Sequence, residues 1–478
     1  MLKEIQAIIL AAGKSTRFNT GKTKLVEKIC GQELIIYPLK VLQELDIPTT
    51  VVVGYQKELI TQTVSRYCNN VQFIEQQEQL GTGHATKMTR PIWDHKYVLL
   101  MKADIPLITS KIIQDLFEQH LQTNAALTFI TAHNDNPTGF SYGRVHKTPD
   151  NRITIIRPHE ISKEKIQDFC CINGGIMIVN REFLETAVDK IARRGHSNEF
   201  HMSDFINVAS AENKTVTMFD VPFDYVRGIN NFQELWAAEQ IKRAELIRYW
   251  MDRGVRFITP QSAHMELNVE IGAGTVVGCG AHLLAGTKIG KDCIISSSSM
   301  IENSTIGDKV TIHPHTIIRG ATIHSHAQVG PFAHIQEGTT IGEHSEIGNF
   351  VEVKRTTIGS HSKAKHLSYL GDATIGSHVN IGAGSITCNY DGKQKHATII
   401  KDYVFIGTNN SLVAPVTINE RAFTAAGSVI TQDVPQDALA IGRARQVNKE
   451  GFSKKLRAKQ TLSFMGAVKT TNETSHEA

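Results

Sequence analysis

The residues of this 478-residue chain best suited to chemistry cluster in a few segments. Leu10-Ala-Ala-Gly-Lys-Ser-Thr-Arg-Phe18 directly follows an apolar run. Its small residues let backbone N–H groups approach a polyphosphate, and Lys14 and Arg17 supply neutralising charge. Lys24 lies one short turn further on. Gln76-Gln-Glu-Gln-Leu-Gly-Thr-Gly-His84 opens a second polar loop, and Asp104 ends the run YVLLMKAD, where a plain strand-end cap is the competing reading. A different chemistry sits near the other end. Lys363-Ala-Lys-His-Leu-Ser-Tyr-Leu-Gly-Asp372 sets His366 among hydroxyl and carboxylate groups, just before Val379-Asn-Ile-Gly-Ala-Gly-Ser-Ile-Thr-Cys-Asn-Tyr-Asp-Gly392. A neutral imidazole can take the proton that an attacking amine must lose, although a histidine in a loop is often only a surface residue.

These segments belong to two kinds of sequence that meet near residue 250. Up to about residue 230, strand-like runs (Ala7–Ala11, Thr50–Val53, Val71–Glu75, Tyr97–Met101, Ala126–Ile130, Ile172–Val179) alternate with helical stretches such as Leu34–Leu45 and Lys111–Leu121. That alternation predicts an α/β domain with a mostly parallel sheet. Asn231–Asp252, free of Pro and Gly, reads as a helical connecting arm. Beyond Gly254 a six-residue period takes over. Ile271, Val277, Leu283 and Ile289 are six apart, and Ile323, Val329, Ile335, Ile341, Ile347 and Val353 repeat that spacing. This is the hexapeptide pattern of a parallel β-helix, in which the aliphatic residue points inward and stacks on its neighbours. The Ile-Gly-Ala-Gly stretches at 271–274 and 381–384 are then repeat glycines and no dinucleotide fingerprint. The phase slips at Ile318–Ile323 and Val353–Ile358 and breaks at Asn389–Thr398, where loops are expected to leave the solenoid. His313, His315, His324, His326, His344 and His361 are expected on the surface between coils, and the polar tail ending TTNETSHEA as helical and then disordered.

Composition removes several function classes. The length predicts two or three domains. Hydrophobic residues at 41% and charged residues at 21% exclude a mainly disordered chain, a collagen and a coiled-coil rod. A net charge of +4 is too small to argue for nucleic acid, and no apolar run approaches a membrane span. The N-terminus has no signal-peptide pattern, and the seven Cys lack C-x-x-C spacing. They read as reduced thiols of a cytosolic protein, with neither a disulfide framework nor a zinc site.

Together the segments resemble the sugar-nucleotide pyrophosphorylases, specifically the bacterial bifunctional N-acetylglucosamine-1-phosphate uridylyltransferase/glucosamine-1-phosphate N-acetyltransferases. The resemblance covers nearly the whole chain. It implies a Rossmann-like nucleotidyltransferase domain over 1–230, a linker helix over 231–253, a left-handed parallel β-helix acetyltransferase domain over 254–446 and a tail over 447–478. It implies that Leu10, Ala11, Ala12, Gly13, Gln76, Gly81 and Thr82 hold the nucleotide, with Lys24 on the phosphates and Lys102 and Ala103 alongside. Asp104 and Asn230, from Gly228-Ile-Asn-Asn231, would hold Mg²⁺, and Gly143, Arg157 and Asn173 would border the sugar. His366 becomes the proton acceptor, with Glu352 in its supporting polar network. Gln336, Lys354, Tyr369, Asn380 and Lys395 would bind glucosamine 1-phosphate. Ala383, Asn389, Tyr390, Thr408, Ala426 and Arg443 would border the acetyl-CoA channel. The co-substrates implied are UTP and acetyl-CoA. The family also implies a cytoplasmic homotrimer joined through the β-helix, with no nucleic-acid or membrane partner. Its product, UDP-N-acetylglucosamine, feeds peptidoglycan and lipopolysaccharide synthesis.

The sequence departs from that family at several positions. Ser15 replaces a Gly, Thr23 a Pro, Lys102-Ala103 a Tyr-Gly pair, Arg157 a sugar-binding Glu and Gly174 a Thr, while Phe140-Ser141 is an addition. Because Arg offers donors only, Arg157 leads to the expectation of an altered sugar pocket. Gln336 replaces an Arg that pairs with the substrate phosphate. Its loss should weaken binding by ~1.5–3 kcal/mol unless Lys354 or Arg355 substitutes. Two other readings therefore stand beside the bifunctional enzyme: the same scaffold with a changed or weak first domain, and a non-catalytic regulatory homologue. Retention of His366, Tyr369, Asn380, Asn389 and Tyr390 together speaks against the last.

Overall fold

Strand Ile5–Leu10 is buried along its whole length, and this decides how the N-terminal region is built. A strand covered on both faces reads as an unbroken apolar run and pairs in parallel. In the computed structural model, which describes residues 2–18, 20–133, 142–148, 152–157, 160–161, 169, 171–193 and 198–460, it lies between Tyr97–Lys102 and Thr49–Val53. Both neighbours are parallel, with Ile9 opposite Met101 and Val51. Val71–Glu75 extends this side of the sheet in parallel. On the other side Cys171–Asn180 runs antiparallel between Tyr97–Lys102 and Leu127–His133, and Val216–Asp220 closes the edge parallel to Leu127–His133. All the expected strands form. Arg144–Lys147, Ile153–Ile156 and Val216–Asp220 are additional, each too short or too mixed in polarity to stand out in the sequence.

Side chains alternate across this sheet into two cores. Ile9, Val51, Leu99 and Met101 pack on one face with helices Ile36–Glu44 and Ser110–Thr123, while Ile8, Val52, Leu100 and Phe129 pack on the other with Asp204–Ala211. Burying each such aliphatic chain contributes about 1.5–3 kcal/mol, and Ile9→Ala would cost about 2–5 kcal/mol. Helix Ser110–Thr123 starts where Thr109 Oγ1 accepts the Ile112 amide and stops at Asn124, whose φ is +44°. The parallel strands deliver their carboxyl ends to one edge, the usual place for a ligand crevice in an open α/β sheet.

The connecting arm is a single helix, Phe232–Met251. Asn231 Oδ1 accepts the Glu234 amide at 2.8 Å, and Glu234 Oε2 accepts the Asn230 amide at 2.5 Å, a reciprocal cap that fixes where the helix begins. Leu235, Ala238 and Ile247 are its buried positions, whereas Trp236 is exposed.

From Arg256 onward, short parallel strands form the three sheets of a left-handed β-helix. The chain divides into two compact units, residues 1–332 and 333–478. That division differs from the change in sequence character near residue 250. The arm and the first coils adhere to the α/β region, where Leu267 N donates to Cys30 O at 3.0 Å and Leu267 packs on a core that includes Leu34, Ile229 and Leu235. In the first unit Phe257, Val277, Ile295 and Ile312 stack coil upon coil, and in the second Ala364, Ile381 and Ile406 do so; all are buried. The slips at Ile318–Ile323 and Val353–Ile358 correct one expectation. No loop leaves the solenoid there: each is a five-residue step turned by a positive-φ residue, Gly320 or Arg355, with both flanking aliphatics still inside. At Asn389–Thr398 a loop does leave it.

His344 and His361 are exposed, and they are also stacked. With His378 and Tyr403 they form a ladder at ring-centroid spacings of 4.8, 5.0 and 4.9 Å, every member a left-handed corner residue of a successive coil. Residues 452–460 are helical; the expected disordered end and the Phe140-Ser141 addition lie outside the described residues.

Candidate functional site

The carboxyl ends of Ile5–Leu10 and Tyr97–Lys102 open into a cleft of about 580 Å³. It is lined by Leu10 to Ser15, Arg17, Lys24, Leu25, Gln76, Gln79, Gly81, Thr82, Ala85, Lys102, Asp104, Glu199, His201 and Asn230. After Ala11 and Ala12 finish their sheet bonds, the amides of Gly13, Lys14 and Ser15 donate to nothing among the described residues. A run of free N–H groups at a strand end is an anion cradle. Ser15 turns this loop with φ +54°, which explains a Gly at the equivalent family position. Serine accepts the strain and gains a contact: its Oγ accepts the Lys24 amide at 3.1 Å. Thr23 has φ −65°, the angle a proline would impose, and uses the amide a proline lacks to donate to Gln56 Oε1 at 2.8 Å.

On the far wall, Asp104 O accepts the Ile229 amide at 2.9 Å and thereby holds Gly228–Asn230 against the strand end. Lys24 Nζ lies 2.5 Å from Asp104 Oδ2 and 3.5 Å from Asn230 Oδ1. Asn230 Nδ2 donates to Gly228 O, so its oxygen is the atom turned outward. Asp104 Oδ1 is buried and without a partner among the described residues. Burial pushes the Asp104 carboxyl up, but Lys24 and Lys102 outweigh it and hold it below its ordinary value. Burial also holds the Lys102 ammonium below its usual range. An ionised carboxylate with an orphan oxygen beside an amide oxygen is a donor set that suits Mg²⁺. That ion takes one or two protein ligands and completes its shell with water and substrate phosphate.

The second polar loop is held by backbone zippering. Phe200 N donates to Leu80 O, Gly83 N donates to Phe200 O, and Met202 N donates to Thr82 Oγ1. Gly81 has φ +99°, and a Cβ there would sit 2.3 Å from Phe200 O, so only glycine fits. This pairing brings Glu199 and His201 into the cleft wall. Neither falls in a motif, and their only sequence signal is the polar stretch around 196–201.

None of the expected sugar-side residues Gly143, Arg157 and Asn173 is among those that line this cleft. Gly143 and Asn173 are neighbours, since Asn173 N donates to Gly143 O at 2.9 Å; the Asn173 side-chain oxygen accepts the Gly175 amide, leaving its NH₂ for other partners. Arg157 corrects the expectation. Its guanidinium is buried and donates to both carboxylate oxygens of Asp204 at 2.9 Å, away from the cleft lining. Its charge is answered inside the fold. Gly174 packs under Val226, which a threonine Cβ would approach to 2.8 Å. Ala103 is a buried residue between Lys102 and Asp104 and lines nothing.

The second unit carries the other constellation. His366 and Asn349 are register partners on adjacent coils, Nδ1 to Oδ1 at 3.1 Å. Glu352 pairs with Tyr369 in the next coil and accepts a 2.5 Å hydrogen bond from Gln336 Nε2. The Gln336 amide therefore faces a carboxylate. Arg355 is no substitute for the missing guanidinium, because it forks onto Asp372 at 2.6 and 2.8 Å. Of the two candidate substitutes, Lys354 is the one that forms no ion pair or side-chain hydrogen bond among the described residues, whereas Arg355 does. Asp372 also accepts Asn389 Nδ2 at 2.5 Å, and Asn389 lies 3.4 Å from the Tyr369 hydroxyl. Gly371 is enclosed by this cluster: a Cβ would come within 2.5 Å of the Tyr369 oxygen and 2.7 Å of Asn389 Nδ2.

Asp391 ties the protruding loop by accepting the Lys393 and Gln394 amides and His396 Nε2, all at 2.7 Å. These bonds, the Gln394 amide foremost, hold its carboxyl well below the usual range. Tyr390 and Lys395 bridge across it. Gly384 N approaches His366 O at 3.4 Å, and Asn409 N donates to Ala383 O and Gly427 N to Thr408 O. Ala383, Thr408, Ala426 and Arg443 thus follow one corner up successive coils from His366. Asn380 stands on the adjoining sheet face between Lys363 and Phe405. The six cysteines among the described residues are free, and Cys170 lies outside them. No helix among the described residues is long and apolar enough to cross a membrane.

Comparison with known proteins matches the two parts of the chain to two different domain families. Residues 7–152 match the MobA-like NTP transferase domain, and residues 268–303 and 320–355 match the bacterial transferase hexapeptide (six repeats). The bifunctional protein GlmU of Alkaliphilus metalliredigens is 39% identical over 455 residues, which cover 94% of this chain and 98% of that protein. The bifunctional protein GlmU of Exiguobacterium sibiricum is 38% identical over 93% of this chain and 99% of its own length, and that of Geotalea uraniireducens 38% over 95% and 100%.

Proposed function

From the premise that the chain belongs to the family of bifunctional GlmU proteins, we propose that it makes UDP-N-acetylglucosamine in two steps. Glucosamine 1-phosphate is N-acetylated from acetyl-CoA at the His366 site, and the product receives uridylyl from UTP at the N-terminal cleft, releasing pyrophosphate. The carrying observation is that one chain holds both a free-amide cradle facing Lys24, Asp104 and Asn230 and a separate histidine–asparagine pair among Glu352, Tyr369 and Asn389.

At the first site the amides of Gly13 to Ser15 and the side chains of Lys14 and Arg17 neutralise the triphosphate. Joining two anions requires their charges to be screened while attacker and leaving group stay in line. Mg²⁺ held by Asp104 and Asn230 would supply part of that screening. Lys24 and Lys102 supply the rest, and Gly143 and Asn173 border the sugar. The altered-pocket alternative loses its main support, because Arg157 is committed to Asp204.

At the second site His366 Nε2 removes the proton from the attacking amine, while Lys354, Tyr369, Asn380 and Lys395 hold the sugar phosphate. Acetyl-CoA lies along the corner of Ala383, Thr408, Ala426 and Arg443, beside Asn389 and Tyr390. The functional domains are residues 1–230 and 254–446, in a cytosolic homotrimer. What supports the trimer is an exposed ladder on the β-helix, in which Phe405, Phe423 and Leu439 are register partners at 41%, 50% and 61% exposure. Such a stripe is a surface to be covered by another copy.

Two assays test the proposal on the purified protein. UTP, Mg²⁺ and N-acetylglucosamine 1-phosphate should yield pyrophosphate, and glucosamine 1-phosphate with acetyl-CoA should release CoA. Failure of either removes that half.

A further inference from the structure

The Gln76 amide has both of its hydrogens committed. Nε2 donates to Gly81 O at 3.0 Å and to His84 Nδ1 at 2.9 Å. A primary amide has two N–H donors, so nothing is left to donate, and Oε1 takes no hydrogen bond among the described residues. Gln76 and Gly81 both line the nucleotide cleft. Any ligand that meets this amide therefore meets an acceptor.

His84 completes that state, since Gly81 O holds one amide hydrogen and Nδ1 takes the other. Nδ1 accepts only while it carries no proton; an imidazolium would aim a second donor at Gln76 Nε2 and favour the flipped amide. The ring is half-buried in helix Thr82–Met88 and stacks beside Phe200, with centroids 6.3 Å apart. Burial lowers its pKa, against the pull of Glu78 and assisted by Arg193 and Lys87, which favours the neutral ring.

We propose that His84 is a positioning residue that makes Gln76 an acceptor-only reader of the nucleotide base, favouring a pyrimidine with a ring N–H. Uracil offers that N–H at N3, where cytosine has an acceptor. The proposal rests on the reading of this cleft as a uridylyl-transfer site and adds the role of His84 to it.

The test is the ratio of kcat/KM for UTP over CTP in the full-length enzyme. His84→Leu should raise KM for UTP and lower the ratio on the order of tenfold, with kcat for UTP little changed. His84→Asn, which can return an acceptor to the same place, should restore the ratio. If the leucine variant does not fold, His84→Ser, too short to reach Gln76, provides the same comparison. A wild-type ratio in a folded Leu or Ser variant that still uses UTP overturns the role of His84 alone. Absence of UTP turnover by the wild type overturns the cleft reading and this proposal together.

Discussion

His366 Nδ1 faces the Asn349 amide oxygen at 3.1 Å from the equivalent position one coil away. An amide oxygen only accepts, so the ring proton resides on Nδ1 and the lone pair on Nε2. Both residues are held by the same ladder of coil-to-coil pairing. The orientation of the base is thus a consequence of the β-helix register.

His366→Ala should reduce kcat for acetyl transfer by about 10²–10⁴-fold, with modest change in acetyl-CoA affinity and none in uridylyl transfer. CoA release measures the first and pyrophosphate release the second. A rate within a factor of ~3 of wild type would assign the proton to another group or to solvent.

Asp104→Asn should lower uridylyl transfer at least about a hundredfold, the scale of losing a major electrostatic stabiliser, and leave acetyl transfer intact. The separation follows from the residues: Asp104 belongs to the first compact unit and His366 to the second. Loss of both activities in folded protein would refute it.

Arg157→Met should destabilise the protein by about 3–5 kcal/mol, because it leaves the buried Asp204 carboxylate without its guanidinium. Adding Asp204→Leu should recover most of that loss. Denaturant unfolding measures both, and a double variant no more stable than the single one would contradict the pairing. A panel of hexosamine phosphates should show N-acetylglucosamine 1-phosphate still preferred.

Gly371→Ala should impair acetyl transfer selectively. The new methyl meets the Tyr369 hydroxyl and Asn389 Nδ2, and one of them must move. Overpacking of this kind typically costs 1–3 kcal/mol. Unchanged acetylation kinetics would show that neither contact matters to the reaction.

Hydrogen bonds from Arg355 above all, and then from Asn389, hold the Asp372 carboxyl below its ordinary value of 3.8. A depressed carboxylate contributes stability that is fully present above the unfolded value and is lost as pH falls through the folded one. The melting-temperature gap between wild type and Asp372→Asn should therefore be constant above about pH 5 and close below pH 3.8. A gap that persists into stronger acid would mean the ion pair is not its source.

What could be read from the sequence follows physical locality. The hexapeptide period is legible because each inward aliphatic, such as Ile335 or Ile341, must point inward regardless of its neighbours. The arm is legible because Asn231–Asp252 holds no Pro or Gly, while the cap by Asn231 and Glu234 that fixes its start is seen only in the structure. The cradle and its cations lie in short motifs, and so does His366. The pairing of Arg157 with Asp204 is not legible because the two are 47 residues apart and no periodicity connects them. Glu199 and His201 escaped for the same reason, since a tertiary strand-like pairing with Leu80–Thr82 brings them in. At the departures Ser15 and Thr23 only the dihedral angles reveal that each residue meets the demand that Gly or Pro meets elsewhere.

The ring ladder of His344, His361, His378 and Tyr403 has uneven rungs in sequence but even ones in space. Seventeen residues separate the first two steps and twenty-five the last, yet the spacing between rings stays near 5 Å. The solenoid therefore counts corners and ignores chain length between them. The extra residues leave as the tied loop around Tyr390 to Lys395, which behaves as a cassette plugged into an unchanging frame. Its length and chemistry are open to revision, by evolution or by design, without re-registering a single coil above it.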